Sequence, residues 1–431
     1  MQISKYRAGI ISFVFLPAFL LAQQNTISPY SSFGIGEPQE QGFSLNNSLG
    51  GVGVALRTNN YLNPINPASL SAINTTVFDA GITSTAIYLT DNTLSQETFT
   101  SRLSYLSLGF PVHRGVVISG GLLPYSFKGF EVIQKAALSI DDGNLLYDVN
   151  HSGSGGLNRV YANIGAELFK GFSLGATASM IFGTIKNKRE AVFSQPDILN
   201  RRDEYTYTAR DYTYDFGVQY LTKVLEKKLI FGATYCPESN LRAWNRGVTY
   251  TYDTSGDFEY IRDTTEMFSS ESNGLVLPQS YAIGIAMEDH DKWFVSGELD
   301  FKEWSQTILF SDLDPNLKDA TQFKFGAWWI PNSKDVHNYL NIIQYRAGFN
   351  YNTGQLSVST LGTNNTQTDI TDISLSLGLG LPMRRSNTTA NVGIQIGKMG
   401  TTNNDLIEEK YIKLNLAFTF NDKWFKQRKI D

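Results

Sequence analysis

The sequence predicts an all-β fold: a transmembrane antiparallel β-barrel of about 14 strands with an N-terminal plug segment. Apolar residues alternate with small or polar ones along many runs of about ten residues, the length of a strand that crosses a bilayer. Short and long connections between these runs alternate, as in barrels with tight turns at one end and long loops at the other. After residue 22 there is no run of about 20 apolar residues that would form a membrane helix.

The hairpin of residues 277–304 shows the alternation most clearly. In its first strand, residues 281–287, every second residue is large and apolar, and those between them are alanine or glycine. In its second strand one face is apolar, whereas the other carries Glu298, Asp300 and Lys302. This pattern predicts a wall between lipid and a wet lumen, with the three charged residues in a mutually compensating, solvated cluster.

The first 22 residues form a predicted signal peptide, so we expect export to the outer membrane of a Gram-negative cell. Lys5 and Arg7 precede an apolar stretch at residues 8–21, and the expected cleavage point lies between Ala22 and Gln23. The residue directly after that point is glutamine and not cysteine, so we do not expect a lipoprotein.

Residues 23–75 are predicted to form a compact plug, or hatch, ahead of a barrel at residues 76–431. The segment is rich in glycine, asparagine and proline and lacks sustained alternation, which argues against a strand in the wall. It is also too apolar for a disordered arm. The glycine-rich residues 50–53 lack the lysine and the preceding strand of a phosphate-binding loop, so we assign no nucleotide binding to them.

Alternation gives fourteen candidate strands, at residues 77–90, 103–112, 115–127, 158–169, 172–185, 205–221, 227–236, 278–288, 292–303, 321–331, 342–352, 371–382, 387–398 and 410–420. Residues 244–255 also alternate, but a fifteenth wall strand would put the two ends of the barrel on opposite sides of the membrane. We therefore assign residues 244–255 to a long loop at 237–277. The other long connections, among them 128–157 and 186–204, are expected to be extracellular loops.

Three features make the chain resemble the FadL/TodX-like outer-membrane transporters of hydrophobic compounds, in a branch typical of Bacteroidota. Residues 50–55, followed by Asn66, Pro67 and Ala68, are similar to the family's hatch with its Asn-Pro-Ala signature. The hairpin of residues 277–304 resembles the family's most recognisable barrel hairpin. The expected strand number and the plug agree with its architecture, and the resemblance covers nearly the whole mature chain.

The resemblance implies passive uptake of hydrophobic molecules such as long-chain fatty acids, which pass from the extracellular loops to an apolar pocket beside the hatch. It also implies a kinked third strand that opens the wall sideways, so that cargo leaves into the membrane. Here Gly120, Gly121 and Pro124 interrupt the third strand, because glycine permits a bulge and proline cannot donate to a sheet. The alternative is an ordinary bulge that sets the curvature of the barrel.

Candidate contacts for a hydrophobic ligand lie in and beside the predicted loop 128–157, which is unusually apolar for a surface segment. They are Phe127, Phe130, Val132, Ile133, Leu145 and Leu146. The alternative is that these side chains pack against one another and cap the barrel. A carboxylate head group would be bound by Arg159 or Lys186, and the sequence does not rank the two.

We therefore expect an outer-membrane channel for hydrophobic small molecules, which also contacts outer-membrane lipid. The alternative is a non-transporting barrel subunit of an outer-membrane protein secretion or assembly complex, such as the shuttle component of the type IX system, which would bind other proteins. An apolar tunnel with a gap in the wall would favour transport. A polar, sealed lumen with large apolar loop surfaces would favour the subunit.

Composition argues against several other classes of protein. A net charge of −5 leaves no basic patch for nucleic acid. The four histidines show no metal-ligand spacing, and the single cysteine, Cys236, excludes a cysteine-rich metal site. We expect no enzymatic activity, no cofactor and no metal site, and strand parity predicts that Cys236 faces inward.

Overall fold

The computed structural model describes residues 28–424, apart from residues 141–142, 196, 256–257, 290–291, 310–311, 314–315, 360–366 and 385. The predicted signal peptide lies outside the described residues. The fourteen strands of the wall, in chain order, are β1 (Thr76–Thr90), β2 (Ser95–His113), β3 (Val116–Ile140), β4 (Gly143–Phe169), β5 (Phe172–Phe193), β6 (Asn200–Val224), β7 (Lys227–Cys236), β8 (Ser280–Asp289), β9 (Trp293–Lys302), β10 (Ala320–Trp329), β11 (Gln344–Asn352), β12 (Asp372–Pro382), β13 (Thr388–Gly400) and β14 (Glu408–Asp422).

The remaining elements are short, except for one hairpin between β7 and β8 that is formed by Ser239–Ser255 and Phe258–Leu277. The helices are one α-helix, α1 (Ser44–Ser48), and the 3-10 helices Pro29–Ser32, Pro67–Ala72, Trp304–Gln306, Tyr339–Asn341 and Asn403–Asp405. Short strands lie at Glu37–Pro38, Ile308–Leu309, Asp312–Leu313, Ser357–Ser359 and Gln367–Asp369. No helix in the described part of the chain has the length and apolar character needed to cross a membrane.

The wall closes on itself. Consecutive strands pair antiparallel from β1 to β14, and β14 returns to pair with β1 along the whole of Thr76–Thr90. This closed fourteen-stranded antiparallel barrel confirms the predicted fold class and strand number. Closure leaves no strand at an open edge of the wall and pairs most of its backbone on both sides, as β-structure in lipid requires.

The outward faces of the strands are apolar along their middle and aromatic near their ends. Leu377, in the middle of β12, is 66% exposed on the outside of the wall. Tyr281 stacks on Phe301 at one end of the β8–β9 pair, and Trp329 lies against Tyr345 at the opposite end of the β10–β11 pair. This is the arrangement of a lipid-facing belt between two aromatic girdles.

One side of the barrel is much taller than the other. Strands β3, β4, β5 and β6 have 25, 27, 22 and 25 residues, whereas β8, β9 and β10 have 10 each. Because about 10 residues cross a bilayer, the longer strands continue beyond it. Their distal halves and the hairpin 239–277 form one sheet, which we call the extension sheet, with residues 200–209 of β6 paired to the hairpin.

The extension sheet corrects the sequence-based assignment of loops. Residues 128–157, 186–204 and 237–277 are expected from the sequence to be irregular, but most of them are strand. Above the membrane, lipid no longer selects apolar side chains on the outer face of the sheet, so the alternation that identifies wall strands is lost there. Residues 244–255 lie outside the fourteen wall strands, as predicted, but in a hairpin strand and not in a loop.

Residues 28–75, which we call the N-terminal segment, lie inside the barrel against its inward-facing side chains. Leu49, Val52 and Leu56 of this segment form a buried cluster with Ile230 of β7 and Phe294 of β9. Full burial of an aliphatic or aromatic side chain stabilises by about 1.5–3 kcal/mol. The segment is therefore held by an apolar interface of its own.

A charge placed on the lipid-facing belt should destabilise the barrel. We expect Leu377→Arg to lower the free energy of unfolding in phospholipid vesicles by about 2–4 kcal/mol, as measured by denaturant titration. Val336→Arg is the control, because Val336 is exposed in the connection between β10 and β11 and should tolerate charge. Equal losses in both variants would contradict the assignment of the belt.

Candidate functional site

The N-terminal segment meets the wall at a ring of inward-facing glycines, which we call the glycine belt. At each of these positions a β-carbon would overlap with atoms of residues 48–67, so only glycine lets the two backbones approach. Four pairs stand directly opposite each other on adjacent strands, beginning with Gly165–Gly175 and Gly326–Gly348. The belt consists of Gly165, Gly175, Gly217, Gly232, Gly326, Gly348, Gly378 and Gly393.

Buried polar side chains of the wall bind the backbone of the segment beside the belt. The Glu298 carboxylate, 2% exposed, accepts hydrogen bonds from the N–H groups of Gly53 at 2.9 Å and Ala55 at 3.1 Å. The Gln219 amide donates to the carbonyl oxygen of Val54 at 2.9 Å. These bonds satisfy backbone groups that would otherwise be buried without partners, so they fix the position of this turn.

A cavity of about 280 Å³ lies between the N-terminal segment and the wall. Two ion pairs lie within it: Arg159 of β4 pairs with Asp215 of β6, across the intervening strand β5, and Lys324 of β10 pairs with Asp300 of the neighbouring strand β9. Pockets for apolar ligands are lined mainly by hydrophobic side chains with a few polar groups, whereas here Tyr125, Ile370 and Met399 share the lining with nine charged residues. Its charged members are Glu37, Glu40, Arg159, Asp215, Asp300, Lys302, Lys324, Asp372 and Lys413, and Cys236 also lines it, on the inner side as predicted.

Towards the extension sheet the cavity ends at a packed apolar cluster. Trp304 and Ala320 line the cavity and also belong to this cluster, whose members are all buried. The cluster continues through Ile181, Ile185 and Leu241 into the base of the extension sheet. The lumen is therefore charged in its middle and filled by the N-terminal segment on one side and by apolar side chains on the other.

The wall has a seam between β2 and β3. The two strands pair from His113–Val116 to Leu106–Leu122, and no further pairing joins them in the described residues. Apolar side chains of β2 continue past that point, since Leu103 and Phe99 are more than half exposed. The seam therefore begins within the lipid-facing belt and continues towards the extension sheet.

The N-terminal segment covers the inner side of the seam. Its short strand Glu37–Pro38 pairs with Phe127 and Ser126 of β3, in place of the missing β2. Arg102 of β2 donates a hydrogen bond to Gln39 and lies over the Phe127 ring, 4.5 Å from its centroid. Arg102 thus links both edges of the seam to the segment.

The Asn-Pro-Ala triplet lies where the segment meets β4, β5 and β6. The Asn66 side chain accepts a hydrogen bond from the Ala68 N–H and donates to Val54 and to Val218 of the wall. Pro67 lies against three glycines of the belt, Gly165, Gly175 and Gly217. The triplet thus begins the 3-10 helix and ties it to the wall, whereas its role as a hatch signature stays a prediction.

The three residues of the predicted gap lie on both sides of the end of pairing. Gly120 and Gly121 are still paired with β2, opposite Leu108 and Ser107. Pro124 lies beyond the last pair, next to a bulge in the pairing of β3 with β4. The proline, and not the two glycines, coincides with the start of the seam.

The structure separates the candidate ligand contacts and does not gather them in one pocket. Phe127 and Leu145 are buried, and the Phe130 ring lies over Gly153. Arg159 lines the cavity, where Asp215 and Ser179 bind it, whereas Lys186 is exposed on β5. The other candidates, exposed on the extension sheet, are Val132, Ile133 and Leu146.

Sequence reasoning missed the role of Glu298 and the glycine belt. The sequence predicts that Glu298, Asp300 and Lys302 compensate one another, but Glu298 binds the N-terminal segment and Asp300 pairs with Lys324. The available signal was the recurrence of glycine at inward positions of the wall strands. That pattern indicates that something packs there, but it does not identify what packs.

The comparisons with known proteins give one family and a set of similar folds. A family model described as BamG matches residues 5–431. No curated protein matches the sequence.

Three of the solved structures that match show the same fold, and at these identities the likeness concerns the fold alone. The Ralstonia pickettii toluene transporter TbuX has 11% identity and a TM-score of 0.57, over 89% of this chain and 99% of that one.

The Pseudomonas putida toluene transporter TodX has 13% identity and a TM-score of 0.57, over 90% of this chain and 100% of that one. A Pseudomonas aeruginosa FadL homologue has 11% identity and a TM-score of 0.57, over 90% and 99%. The chain thus has the fold of FadL/TodX-type outer-membrane channels for hydrophobic compounds, as the sequence resemblance predicts.

A methyl group added to the glycine belt should displace the N-terminal segment. We expect Gly348→Ala to raise single-channel conductance in planar bilayers well above that of the unchanged protein, because the new β-carbon would overlap with the Gly50 backbone. Gly297→Ala is the control, since no atom lies within 4 Å of a β-carbon there. Low conductance in both variants would show that the belt does not hold the segment.

Loss of the Glu298 charge should weaken the same contact. In Glu298→Gln one acceptor oxygen is lost, and hydrogen bonds to charged groups contribute about 1.5–3 kcal/mol each. We expect a maleimide reagent to label the Cys236 thiol in the cavity about tenfold faster or more, because the segment leaves its place more often. Glu226→Gln, in the exposed turn between β6 and β7, should label at the original rate.

Proposed function

We propose that this chain, which belongs to the BamG family, is a non-transporting barrel subunit of an outer-membrane protein secretion or assembly complex. The charged cavity carries this proposal. Hydrophobic cargo needs an apolar route, since each CH₂ group contributes about 0.8 kcal/mol when it leaves water for an apolar site. A route through this lumen would instead pass the ion pairs Arg159–Asp215 and Lys324–Asp300.

The extension sheet also supports a partner-binding role. It carries many large apolar side chains that are more than half exposed, and they lie beyond the strand length that lipid would cover. Contiguous exposed apolar groups outside lipid mark contacts with other proteins. The residues concerned are Ile133, Leu138, Leu146, Phe258, Ile261 and Met267.

The lipid-facing belt supports a location in the outer membrane of a Gram-negative cell. In the same proposal, residues 1–22 direct export, residues 23–75 are the plug and residues 76–431 are the barrel. The chain would then be one of the Bacteroidota-type relatives of the FadL/TodX fold.

Native mass spectrometry after gentle extraction from the host membrane tests this function. We expect a stable complex with other proteins and no hydrophobic small molecule bound to the barrel. A monomer that carries a fatty-acid-like or aromatic mass would contradict the subunit role and favour transport.

The second candidate function is passive uptake of hydrophobic small molecules with lateral release, and the seam favours it. The seam begins in the lipid-facing belt. Arg102, Gln39 and Phe127 bridge it, and we call these three residues the latch. A hydrophobic molecule that reached the inner side of the seam would leave into lipid without crossing water.

Removal of the latch tests the uptake function. If the barrel transports, Arg102→Ala should raise the uptake of a labelled long-chain fatty acid by proteoliposomes severalfold, because the seam loses its bridge. Arg114→Ala, in the exposed turn between β2 and β3, is the matched control and should leave uptake unchanged. Uptake that stays at the protein-free background in all three proteins would exclude this function.

A further inference from the structure

The extension sheet is open, unlike the barrel below it. Its strands run in the order β3, β4, β5, β6, Ser239–Ser255 and Phe258–Leu277. It therefore has two edges, one on β3 and one on Phe258–Leu277. Long exposed edges attract further strands, and native proteins blunt them with charges, prolines or bulges.

The edge on Phe258–Leu277 is blunted. Its pairing with the neighbouring strand shifts register at three places, Ile261/Asp263, Thr264/Glu266 and Ser272/Leu275. Arg262, which forms an ion pair with Asp253, adds charge along the same strand. Repeated bulges break the regular spacing of N–H and C=O groups that an added strand would need.

The edge on β3 has no bulge and no proline, and its only charged residues between 130 and 138 are Glu131 and Lys135. From Ser126 to Ile140 its pairing with β4 keeps one register without a bulge, and the sequence of this stretch contains no proline. Within the described part of the chain, no strand pairs with the other side of residues 130–138. Val132, Ile133 and Leu138 along this edge are exposed.

The hydrogen bonds of Gly129, at the base of the edge, show in which direction the free backbone groups point. Gly129 turns both its groups away from β4: its C=O accepts from the Ser28 N–H at 3.0 Å, and its N–H donates to the Ser31 hydroxyl. In a regular strand these directions alternate from residue to residue. The residues of the same parity, Glu131, Ile133, Lys135 and Ala137, therefore present N–H and C=O groups to the open side.

The same edge already accepts an added strand lower down. Glu37–Pro38 of the N-terminal segment pairs antiparallel with Ser126 and Phe127, immediately below the open stretch. This pairing shows that the space beside β3 fits a strand and that β2 does not occupy it. Residues 130–138 continue this edge in the same register towards the extension.

We propose that residues 130–138 of β3 bind an extended segment of a partner protein, which adds to the extension sheet as a further antiparallel strand. The proposal rests on the subunit function and specifies its contact surface. Backbone hydrogen bonds to the four residues from Glu131 to Ala137 supply the affinity. Alternate side chains of the partner would be apolar where they meet Ile133 on one face and Val132 and Leu138 on the other.

Hydrogen–deuterium exchange at single-residue resolution tests this, with the full chain in native outer membranes compared with the purified protein in detergent. The amides of Ile133, Lys135 and Ala137 should exchange at least about tenfold more slowly in the membranes, where the partner is present. The amides of Val132 and Gln134, which point to β4, should be slow in both samples. The edge on Phe258–Leu277 should show no difference.

Two variants at one position separate backbone binding from side-chain binding. Lys135→Pro removes an N–H group that faces the open side and should abolish the protection of Ile133 and Ala137, while proline is tolerated on an edge. Lys135→Ala keeps the N–H group and should keep the protection. Unchanged migration of the unheated barrel in gel electrophoresis confirms that both variants fold.

Three outcomes overturn the proposal. Fast exchange of the edge amides in native membranes means that no strand covers them, even if mass spectrometry shows a complex. Equal protection in membranes and detergent that disappears on deletion of residues 23–27 identifies the chain's own N-terminus as the occupant. Loss of protection in Lys135→Ala as well as in Lys135→Pro means that a side chain, and not an added strand, makes the contact. If mass spectrometry shows only a monomer but the edge amides are protected in membranes, the result contradicts the stable complex of the proposed function and not the added strand.

Discussion

The structure depends on the requirement that every backbone N–H and C=O group in a bilayer finds a partner within the protein. Thirteen strand pairs and the return of β14 to β1 meet that requirement over most of the wall. Between β2 and β3 the pairing stops early, and the strand Glu37–Pro38 takes over part of the missing edge. The barrel and its N-terminal segment therefore share one hydrogen-bonding system, and neither has a complete set of partners without the other.

The lumen shows how a shared fold leaves function open. The solved structures with this fold include toluene transporters, yet the middle of this lumen holds nine charged residues around a cavity of about 280 Å³. Arg159–Asp215 and Lys324–Asp300 are tolerated there because each charge has a close partner of opposite sign. Lipid constrains only the outward-facing side chains of the wall. The inward-facing side chains can therefore vary, and the function can vary with them.

The sequence predicts the wall well because lipid imposes a strict rule on it. Leu375 and Leu377 alternate with Ser376 and Gly378, and such runs identify β12 and most other wall strands. The rule fails beyond the membrane, where residues 150–156 no longer face lipid and still form a strand. It also fails for contacts between distant parts of the chain. Glu298 and Gly53 are 245 residues apart, and no local pattern connects a carboxylate in one strand to the turn that it holds.

The glycine belt has a consequence for the folding of this protein. A slip of one residue between two strands of the wall would turn every side chain of one strand to the other face. Ala347 or Phe349 would then stand where Gly348 now leaves room, and Leu174 or Ala176 where Gly175 does. The N-terminal segment therefore fits only a wall in which the eight strands that carry the belt are in register. Its docking favours the correctly assembled barrel over barrels with a shifted strand, so one short stretch of chain tests the register of eight strands.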